Sequence, residues 1–354
     1  MEIKKVLESG FLTEGKVVDE FERRAAEYLG CKYAIATTSC STALELSLRA
    51  LGIGPGDQII APDFTYPITA SVAYLVGAEP VLVDVDPYTY CMDMSQVEIA
   101  ISDKTKAVIP VSLFGHPLDL SPLKSLQEKY NFKIIEDAAC SFGASYRGVK
   151  TGIVADVTCF SFHPRKVITT GEGGLLVTNE DEIAYKARSL KRFGIIPTKD
   201  GGRTFQYAGQ NYKMSDILAA IGIIQLSKIE SLLLERKKRA RIYYELLEGK
   251  PHIRTPFVLE GANHIYQTYC IVLEKKGIRD QVIKKMAEMY IETQIGSYCL
   301  HLLPLFSSTK RIGSCKVSED LYYNALALPL HHALSYEDQC RVVNSLFTIL
   351  SRLS

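Results

Sequence analysis

Residues 156–178 read DVTCFSFHPRKVITTGEGGLLVT, and the organisation of the chain follows from this stretch. Its first part, Val157–Phe162, is an apolar run short enough for a strand buried on both faces. The His-Pro pair that follows ends the run, because proline has no N–H group to give to a sheet and restricts the residue before it. Lys166 comes next, then a glycine-rich turn, and Leu175–Thr178 is predicted as a second strand. The stretch therefore presents one lysine on a short loop between two buried strands.

A lysine in this setting can react with a carbonyl group if burial or a neighbouring cation lowers the pKa of its amine. The alternative is an ordinary solvated loop lysine, which is the commoner case because lysine is rarely buried. The residues that surround Lys166 in the fold decide between the two.

The chain has 354 residues and a formal net charge of +1, with acidic and basic residues mixed throughout. This length can bury a large core and is typical of two domains. The sequence has no basic stripe that would indicate a nucleic-acid partner, and it has no acidic tail. No stretch approaches the ~18–20 apolar residues that span a bilayer, and the N-terminus lacks the apolar core of a signal peptide, so no membrane partner is expected.

The cysteines are nine in number, scattered and never spaced CxxC. This pattern disfavours both a disulfide framework and a zinc site, so we predict no metal. Reduced thiols indicate a cytoplasmic protein.

Short apolar runs typical of buried strands alternate with helix-compatible segments over most of the chain. The predicted strands are Tyr33–Ala36, Ile59–Ala61, Pro80–Val83, Ala107–Val111 and Phe132–Ile135. The predicted helices cover residues 17–29, 42–51, 69–77, 94–101, 120–130 and 217–226. Short connections in such an alternation indicate an α/β fold with a mostly parallel sheet flanked by helices.

A composition shift near residues 245–260 indicates a second domain. We therefore predict a large domain over residues 1–245 and a smaller C-terminal α+β domain over residues 246–354. The expected elements of the small domain are a strand at Tyr269–Leu273, a helix near 279–289, a strand near 291–298 and a closing helix whose capping box starts at Ser335. Residues 181–210 are charged and weakly periodic, and no element is predicted there.

Polar residues follow several of the predicted strands. They are Ser39–Ser41, Phe64-Thr65-Tyr66, Glu136-Asp137 and Ser161. In a parallel sheet, ligands bind beyond the carboxyl ends of the strands, so these residues are candidates for one site together with Lys166.

Three of these positions have a specific chemical interpretation and an ordinary one. The hydroxyl-rich turn before Thr42 is typical of an anion site at a helix N-terminus, although serine and threonine are also common N-caps. Asp137 ends a buried strand and requires a cationic partner to stay ionised, either a protonated pyridine nitrogen or an arginine. Tyr66 can lie flat over an aromatic ring or can simply pack.

A series of short motifs runs in order along nearly the whole chain. The motifs are Phe11-Leu12-Thr13-Glu14-Gly15, Phe21-Glu22, Gly54-Pro55-Gly56-Asp57, Gly77-Ala78 with Asp84-Val85-Asp86, Glu136-Asp137-Ala138-Ala139, Ser161-Phe162-His163-Pro164 with Lys166, Gly171-Glu172-Gly173-Gly174, Asn211 with Met214-Ser215, and Leu328-Pro329-Leu330-His331. With these motifs the chain resembles the DegT/StrS-type sugar aminotransferases, which use pyridoxal 5'-phosphate (PLP) on the aspartate aminotransferase fold, PLP fold type I.

The resemblance implies roles for individual residues around the cofactor ring. Lys166 corresponds to the lysine that forms the internal Schiff base with PLP. Asp137 corresponds to the carboxylate that pairs with the pyridinium nitrogen, which makes the ring a better electron sink. Tyr66 corresponds to the aromatic position that stacks on the ring. His163 is part of the motif, but we assign it no chemical role.

The cofactor phosphate is assigned in the same way. The resemblance implies that it is held by Ser161 and by the turn that consists of Ser39, Cys40, Ser41 and Thr42. Asn211 corresponds to the residue that reaches the phosphate from the neighbouring subunit. The active unit is therefore expected to be a homodimer with its active site at the subunit interface.

Two cysteines depart from the family pattern. Cys40 stands where the family usually has glycine, a residue that permits positive φ and close approach of the backbone. Cys140 stands where the family commonly has glutamine or histidine near the phenolic oxygen of the cofactor, and a thiol is a weaker hydrogen-bond partner. We interpret both as small packed residues rather than catalytic groups.

The resemblance implies a transamination in two half-reactions. An amino-acid donor, expected to be glutamate, converts PLP to pyridoxamine phosphate, which then gives its nitrogen to a keto-sugar attached to a nucleoside diphosphate. Lys166 would move a proton between the donor's α-carbon and the cofactor's C4′. Basic residues at 236–241, with Arg203 and Lys213, could contact the diphosphate, although charge runs more often form a solvated helix face.

Other functions remain open at this stage. Relatives within the same family include keto-inositol aminotransferases and PLP-dependent sugar dehydratases, some of which carry histidine where this chain has Lys166. A PLP-binding regulator without turnover is a further alternative, which the joint presence of lysine, carboxylate and phosphate turn disfavours. A nicotinamide-dependent oxidoreductase is disfavoured because no G-x-G-x-x-G follows the first strand.

Overall fold

The computed structural model describes residues 2–353. Its α-helices are α1 Glu2–Ser9, α2 Lys16–Leu29, α3 Cys40–Leu51, α4 Ile68–Leu75, α5 Met94–Ala100, α6 Ser121–Tyr130, α7 Asp181–Leu190, α8 Asp216–Leu226, α9 Ile229–Leu247, α10 Arg279–Glu288, α11 Lys316–Asn324 and α12 Tyr336–Arg352. Short 3-10 helices occur at Leu113–Gly115, Leu300–Leu302 and Pro304–Phe306.

The strands of the same region are short. They are β1 Tyr33–Thr37, β2 Gln58–Pro62, β3 Phe64–Thr65, β4 Glu79–Val83, β5 Thr105–Val108, β6 Lys133–Asp137, β7 Ser145–Tyr146, β8 Val149–Lys150, β9 Val157–Ser161, β10 Gly174–Thr178, β11 Ile195–Pro197, β12 Arg203–Phe205, β13 Ile253–Arg254, β14 Ala262–Asn263, β15 Tyr269–Leu273, β16 Gln294–Ile295, β17 Tyr298–Cys299, β18 Lys310–Arg311 and β19 Ala325–Leu328.

A mixed eight-stranded sheet is the centre of the fold, in the order β1-β10-β9-β6-β5-β2-β4-β18. Every neighbouring pair between β9 and β18 is parallel. β10 runs antiparallel to both β1 and β9, because it returns from β9 through a short loop and not through a crossover helix. The prediction of an α/β fold with a mostly parallel sheet flanked by helices is confirmed.

Alternate side chains of the central strands enter two apolar clusters, one on each face of the sheet. On β10, Leu176 packs in the cluster that includes residues of α3 and α7. Its neighbours Leu175 and Val177 pack in the other cluster, with residues of α2 and α8. Burial on both faces explains why these strands are continuous apolar runs in the sequence.

A second, antiparallel sheet has the order β13-β15-β19-β16. Its apolar cluster includes Tyr269 and Leu326 from the strands and further residues from α9, α10 and α12. β18 lies later in the chain than β16 but pairs with β4 at the edge of the large sheet. The division of the chain between residues 245 and 246 stays a prediction.

Two segments differ from the sequence-based expectation. Residues 181–190 form α7, whose buried face consists of small and aliphatic residues. The charged residues between them weaken the apolar periodicity by which a helix is recognised in the sequence. The single strand expected near 291–298 is two short strands that belong to different sheets. They are separated at Gly296, where a Cβ atom would lie 2.6 Å from that of Ala325.

Within residues 2–353, no single helix combines the length and apolar character needed to cross a bilayer. α8 and α9 satisfy that test only when taken together, and they meet at a bend of 60°.

Candidate active site

Lys166 lies in the loop of the hairpin formed by β9 and β10, hereafter the lysine hairpin. The Lys166 N–H donates to the carbonyl of His163 at 2.9 Å, which forms a tight turn directly after β9. The Phe162 N–H donates to the carbonyl of Gly173 at 2.9 Å and closes the base of the loop. The lysine is thereby held at the carboxyl end of β9, beside the carboxyl end of β6.

The side chain of Lys166 turns toward two cysteines and a carboxylate. Its Nζ lies 3.2 Å from Sγ of Cys140. Burial acts to lower the pKa of Lys166, but negative charge at Cys140, Cys40 and Asp137 outweighs it, so the pKa lies above its ordinary value. The lowered pKa that would favour reaction of this amine with a carbonyl group is therefore not found.

Asp137 is the last residue of β6 and is 4% exposed. Its Oδ2 accepts a hydrogen bond from the Thr69 hydroxyl at 2.7 Å, and its Oδ1 accepts one from the Ala139 N–H at 3.2 Å. Burial raises the pKa of Asp137 despite these bonds and the charge of Lys166. No arginine pairs with Asp137 within residues 2–353, so the alternative of a structural arginine partner is not supported there. The carboxylate is suited to a ligand that brings its own positive charge.

Glu136, next to Asp137, points to the opposite face of β6. Its carboxylate accepts hydrogen bonds from the hydroxyls of Ser112 and Thr158. Burial raises the pKa of Glu136 to about 7, and the charge of Asp137 adds to the effect. Glu136 is therefore a buried acid that keeps its proton almost to neutral pH.

We expect Glu136 to make the stability of the cofactor-free protein depend on pH. The folded protein holds this proton up to about pH 7, whereas the unfolded chain releases it near pH 4.5, so its stabilising contribution is complete below pH 4.5 and is lost as the pH rises through 7. The wild-type protein should lose roughly 3 kcal/mol of unfolding free energy between pH 4.5 and 8 because of Glu136, and Glu136→Gln should not show this loss. Urea unfolding of both proteins at several pH values measures this, and parallel pH profiles would contradict it.

The turn Ser39–Thr42, hereafter the phosphate turn, forms the N-terminus of α3. The Ser39 hydroxyl accepts from the Thr42 N–H at 3.1 Å, and the Thr42 hydroxyl accepts from the Ser39 N–H at 3.0 Å, a reciprocal capping box. The ordinary N-cap interpretation is thus correct for these two side chains. The N–H groups of Cys40 and Ser41 have no protein acceptor among residues 2–353, so they remain available to an anion.

The phosphate turn is pressed against the lysine hairpin at Gly174. A Cβ atom on Gly174 would lie 2.2 Å from the carbonyl carbon of Ser39 and 2.5 Å from the nitrogen of Cys40. Glycine is therefore required where β10 passes the turn. At the other strand of the hairpin, the hydroxyl of Ser161 accepts a hydrogen bond from the His163 N–H at 3.4 Å.

Tyr66 stands at the mouth of the site with 64% of its surface exposed. Its ring meets the edge of Tyr298 at a centroid distance of 5.9 Å, which leaves most of its surface uncovered. The preceding residue, Thr65, contacts Thr69 through their hydroxyls at 3.1 Å, and Thr69 in turn donates to Asp137. The Tyr66 segment is thereby attached to the buried carboxylate.

Asp63, Cys299 and His301 form a group of potential metal ligands among residues 2–353, in which Asp63 and Cys299 are buried and His301 is half-buried. Their donor atoms contact one another, with His301 Nδ1 at 2.6 Å and Cys299 Sγ at 3.2 Å from Asp63 Oδ2. The three side chains satisfy each other by hydrogen bonding and connect β17 to the chain before β3.

Asn211 lies on the surface, in a segment that contacts the phosphate turn of its own chain. The Thr38 N–H donates to the Tyr212 carbonyl at 3.1 Å, and the Tyr212 N–H donates to the Lys191 carbonyl at 3.1 Å. The side chain of Asn211 accepts a hydrogen bond only from its neighbour Lys213 among residues 2–353. Its amide group is therefore available to a second molecule.

The family model for "DegT/DnrJ/EryC1/StrS aminotransferase family" matches residues 1–347. The chain belongs to this family. It is 38% identical over 339 residues to the GDP-perosamine synthase of Caulobacter vibrioides, covering 95% of this chain and 91% of that protein. It is 38% identical over 275 residues to the UDP-2-acetamido-2-deoxy-3-oxo-D-glucuronate aminotransferase of Pseudomonas aeruginosa, covering 77% and 75%.

The fold is similar to solved structures of DegT/StrS aminotransferases. The PMP form of Spr1654 from Streptococcus pneumoniae superimposes with a TM-score of 0.92 at 28% identity, covering 100% of this chain and 96% of that one. The protein is a PLP-dependent sugar aminotransferase, and the identification by resemblance is confirmed.

The residues present fit PLP. Asp137 is a carboxylate whose pKa is raised by burial, and a protonated pyridine nitrogen would supply it with a cationic partner. The free N–H groups of the phosphate turn suit the phosphate. The Lys166 ammonium lies beside Cys140 and is close enough to Asp137 and to Cys40 of that turn to feel their charge. The individual site assignments made from the sequence stay predictions.

Two side chains at the site were not identified from the sequence. Thr69, which donates to Asp137, is one threonine in an apolar helix, and its signal is only its position one turn after Tyr66. Gln267 contacts the backbone on both sides of Lys166 from about 100 residues away in the sequence, and no pattern in the sequence indicates that contact.

Proposed function

We propose that this enzyme transfers an amino group from glutamate to a keto-sugar carried on a nucleoside diphosphate. The single observation that carries the chemistry is the arrangement of Lys166 Nζ beside the buried Asp137 and Cys140 at the carboxyl edge of the sheet. The nucleotide part of the proposal is supported by the relatives, because both the Caulobacter and the Pseudomonas proteins are named for nucleotide-linked sugars.

When bound, PLP supplies an aldehyde that reacts with amines and a ring that withdraws electrons. Lys166 is the residue that would hold the cofactor covalently, and its free amine would be the group that accepts and returns a proton during amino transfer. Asp137 would pair with the ring nitrogen, and its carboxylate would favour the protonated form of that nitrogen. Thr69 orients the carboxylate through the hydrogen bond to Oδ2.

The phosphate turn and Ser161 would hold the phosphate, and Tyr66 would pack against the ring. Asn211 is exposed and free to act on a partner's phosphate, which supports a homodimer with shared active sites. A cytoplasmic site of action is part of the proposal, and all nine cysteines are free thiols in the structure.

A cleft of about 980 Å³ lies between the lysine hairpin and the four-stranded antiparallel sheet, and it provides room for the acceptor. Its lining includes Lys166 and the basic residues Arg165, Lys228 and Arg341, together with His331. A positively charged cleft is suited to a diphosphate.

The basic run at 236–241 contributes less to this cleft than its charge indicates. Arg236 lines the cleft, but its guanidinium donates to the carbonyl of Leu330 at 2.9 Å, and burial lowers its pKa to about 10. Arg239 donates to the carbonyl of Leu334 at 3.0 Å. Lys238 and Arg241 form exposed ion pairs with glutamates of their own helix. The run is thus partly structural and partly a solvated face.

The experiment that tests the proposal separates the two half-reactions. Glutamate should convert the bound PLP to pyridoxamine phosphate with loss of the yellow colour. The pyridoxamine-loaded enzyme is then offered nucleotide-linked keto-sugars and, separately, keto-inositols, and the return of the aldehyde absorption is followed. Recovery with a keto-inositol alone would assign the acceptor to that class. Loss of the sugar hydroxyl without net amino transfer would indicate a dehydratase, and absence of both reactions would indicate a regulator.

A further inference from the structure

Gln267 is a buried residue with 9% of its surface exposed, and it lies just before β15. Its side-chain oxygen accepts a hydrogen bond from the Val167 N–H at 2.9 Å. Its side-chain nitrogen donates to the carbonyl of Arg165 at 2.6 Å. One amide group therefore bridges the peptide before Lys166 and the peptide after it.

We propose that Gln267 is a positioning residue for Lys166. The carbonyl of Arg165 and the N–H of Val167 belong to the two planar peptide units that meet at the α-carbon of Lys166. Holding both planes fixes φ and ψ of Lys166, and with them the direction in which the side chain leaves the backbone. The amide clamp, by which we mean the Gln267 side chain and these two bonds, sets where the ammonium nitrogen can reach.

The clamp is itself held by other parts of the fold. Arg236 donates to the backbone carbonyl of Gln267 at 3.3 Å. The neighbouring Thr268 N–H donates to the carbonyl of Phe114 at 3.2 Å. Gly115 packs closely against the backbone of Gln267. A Cβ atom on Gly115 would lie 2.7 Å from the backbone nitrogen of Gln267 and 3.1 Å from the carbonyl oxygen of Cys140.

The backbones of Gln267 and Cys140 therefore both pack close to Gly115. Cys140 contacts the ammonium group of Lys166, and Gln267 fixes the backbone from which the lysine side chain starts. Since β15 belongs to the four-stranded sheet, the clamp also ties the lysine hairpin to that sheet. Arg165 of the hairpin makes a second contact with this sheet, because its guanidinium donates to the side chain of Gln294 in β16 at 3.3 Å.

The inference rests on the proposed chemistry of Lys166, and its test is designed around covalent capture of PLP. Cofactor-free full-length protein is mixed with PLP, treated with borohydride at timed intervals and digested, and the labelled Lys166 peptide is quantified by mass spectrometry. Gln267→Ala should slow this labelling by about tenfold or more, because an error near 1 Å in a reacting group can cost about 100-fold in rate. The pH dependence of the bound cofactor's absorption should shift in the same variant.

Two further variants separate positioning from general damage. Gln339→Ala removes another buried glutamine that donates to a backbone carbonyl, that of Arg239, and should label at the wild-type rate. Gln267→Glu keeps an acceptor for the Val167 N–H and loses the donor to Arg165, so its labelling rate should lie between those of wild type and Gln267→Ala. It also supplies the readout if Gln267→Ala does not fold.

The outcomes are distinct. Wild-type labelling rates and an unchanged pH profile in both Gln267 variants would overturn the positioning role while Lys166 chemistry stands. Absence of label on Lys166 in the wild-type protein would overturn the proposed function and the inference together. Slow labelling in the Gln267 variants, with normal labelling in Gln339→Ala, supports the clamp.

Discussion

Replacing Lys166 with alanine should abolish steady turnover while leaving the protein folded and able to bind PLP without a covalent bond. The variant loses both the amine that holds the cofactor and the group that moves the proton, and a positioned acid–base group alone contributes about 10²–10⁴-fold. We expect a fall of at least about 10³-fold, measured as glutamate-dependent conversion of the cofactor. Folding should be preserved because the loop is closed by backbone hydrogen bonds that do not involve the lysine side chain.

A matched control is Lys150→Ala. Lys150 is also partly buried, and its ammonium donates to the carbonyl of Tyr28 at 2.6 Å, away from the lysine hairpin. This variant should keep normal turnover and normal labelling by borohydride. Near-normal transamination by Lys166→Ala, or borohydride fixation of the cofactor on another lysine in wild type, would contradict the assignment.

Asp137→Asn should have the second largest effect. The change keeps the shape of the side chain and its contacts with Thr69 and Ala139 but removes the negative charge from a site that is 4% exposed. Without that charge the ring nitrogen of bound cofactor loses the proton that makes the ring an effective electron sink. We expect glutamate conversion to slow by about 10²–10³-fold, the scale of losing one preorganised electrostatic group.

The neighbouring acid provides the control for Asp137. Glu136→Gln replaces a carboxyl group by an amide one residue earlier, on the opposite face of β6. We expect its rate to stay within about threefold of wild type. The reason is that the buried Glu136 carboxyl is protonated up to about pH 7, and an amide has nearly the same shape. Thr69→Val should give an intermediate loss, because it removes one hydrogen bond from the carboxylate and keeps its charge. Equal losses in Asp137→Asn and Glu136→Gln would show that the effect is structural.

Much of the fold could be predicted because each central strand is buried on both faces and reads as a plain apolar run. The lysine hairpin was recognised in this way, to within one residue at each strand. α7 was not recognised, since the contacts that bury its apolar face come from β1 and α3, far away in the sequence. The 291–298 segment was misread because its two halves pair with strands of different sheets, and only the tertiary structure decides that.

The site divides in a similar way. Lys166 and Asp137 could be found because Asp137 ends a strand and Lys166 lies in the loop after one, and the carboxyl edge of a parallel sheet gathers such residues. Their immediate partners could not, because the Thr69 hydroxyl and the Gln267 amide come from elements whose placement depends on packing. The direction of the Lys166 pKa was also not accessible, since it depends on the balance between burial and three neighbouring groups.

Both strands of the lysine hairpin are interior strands, with β10 between β1 and β9, and β9 between β10 and β6. An insertion or deletion in either strand would shift its register against two neighbours at once and turn core side chains outward. A change in length is more easily accommodated in peripheral segments, such as the β11–β12 ribbon, where Phe205 is 71% exposed. The loop that carries the reactive lysine is therefore held between two strands whose length cannot change without disturbing the core.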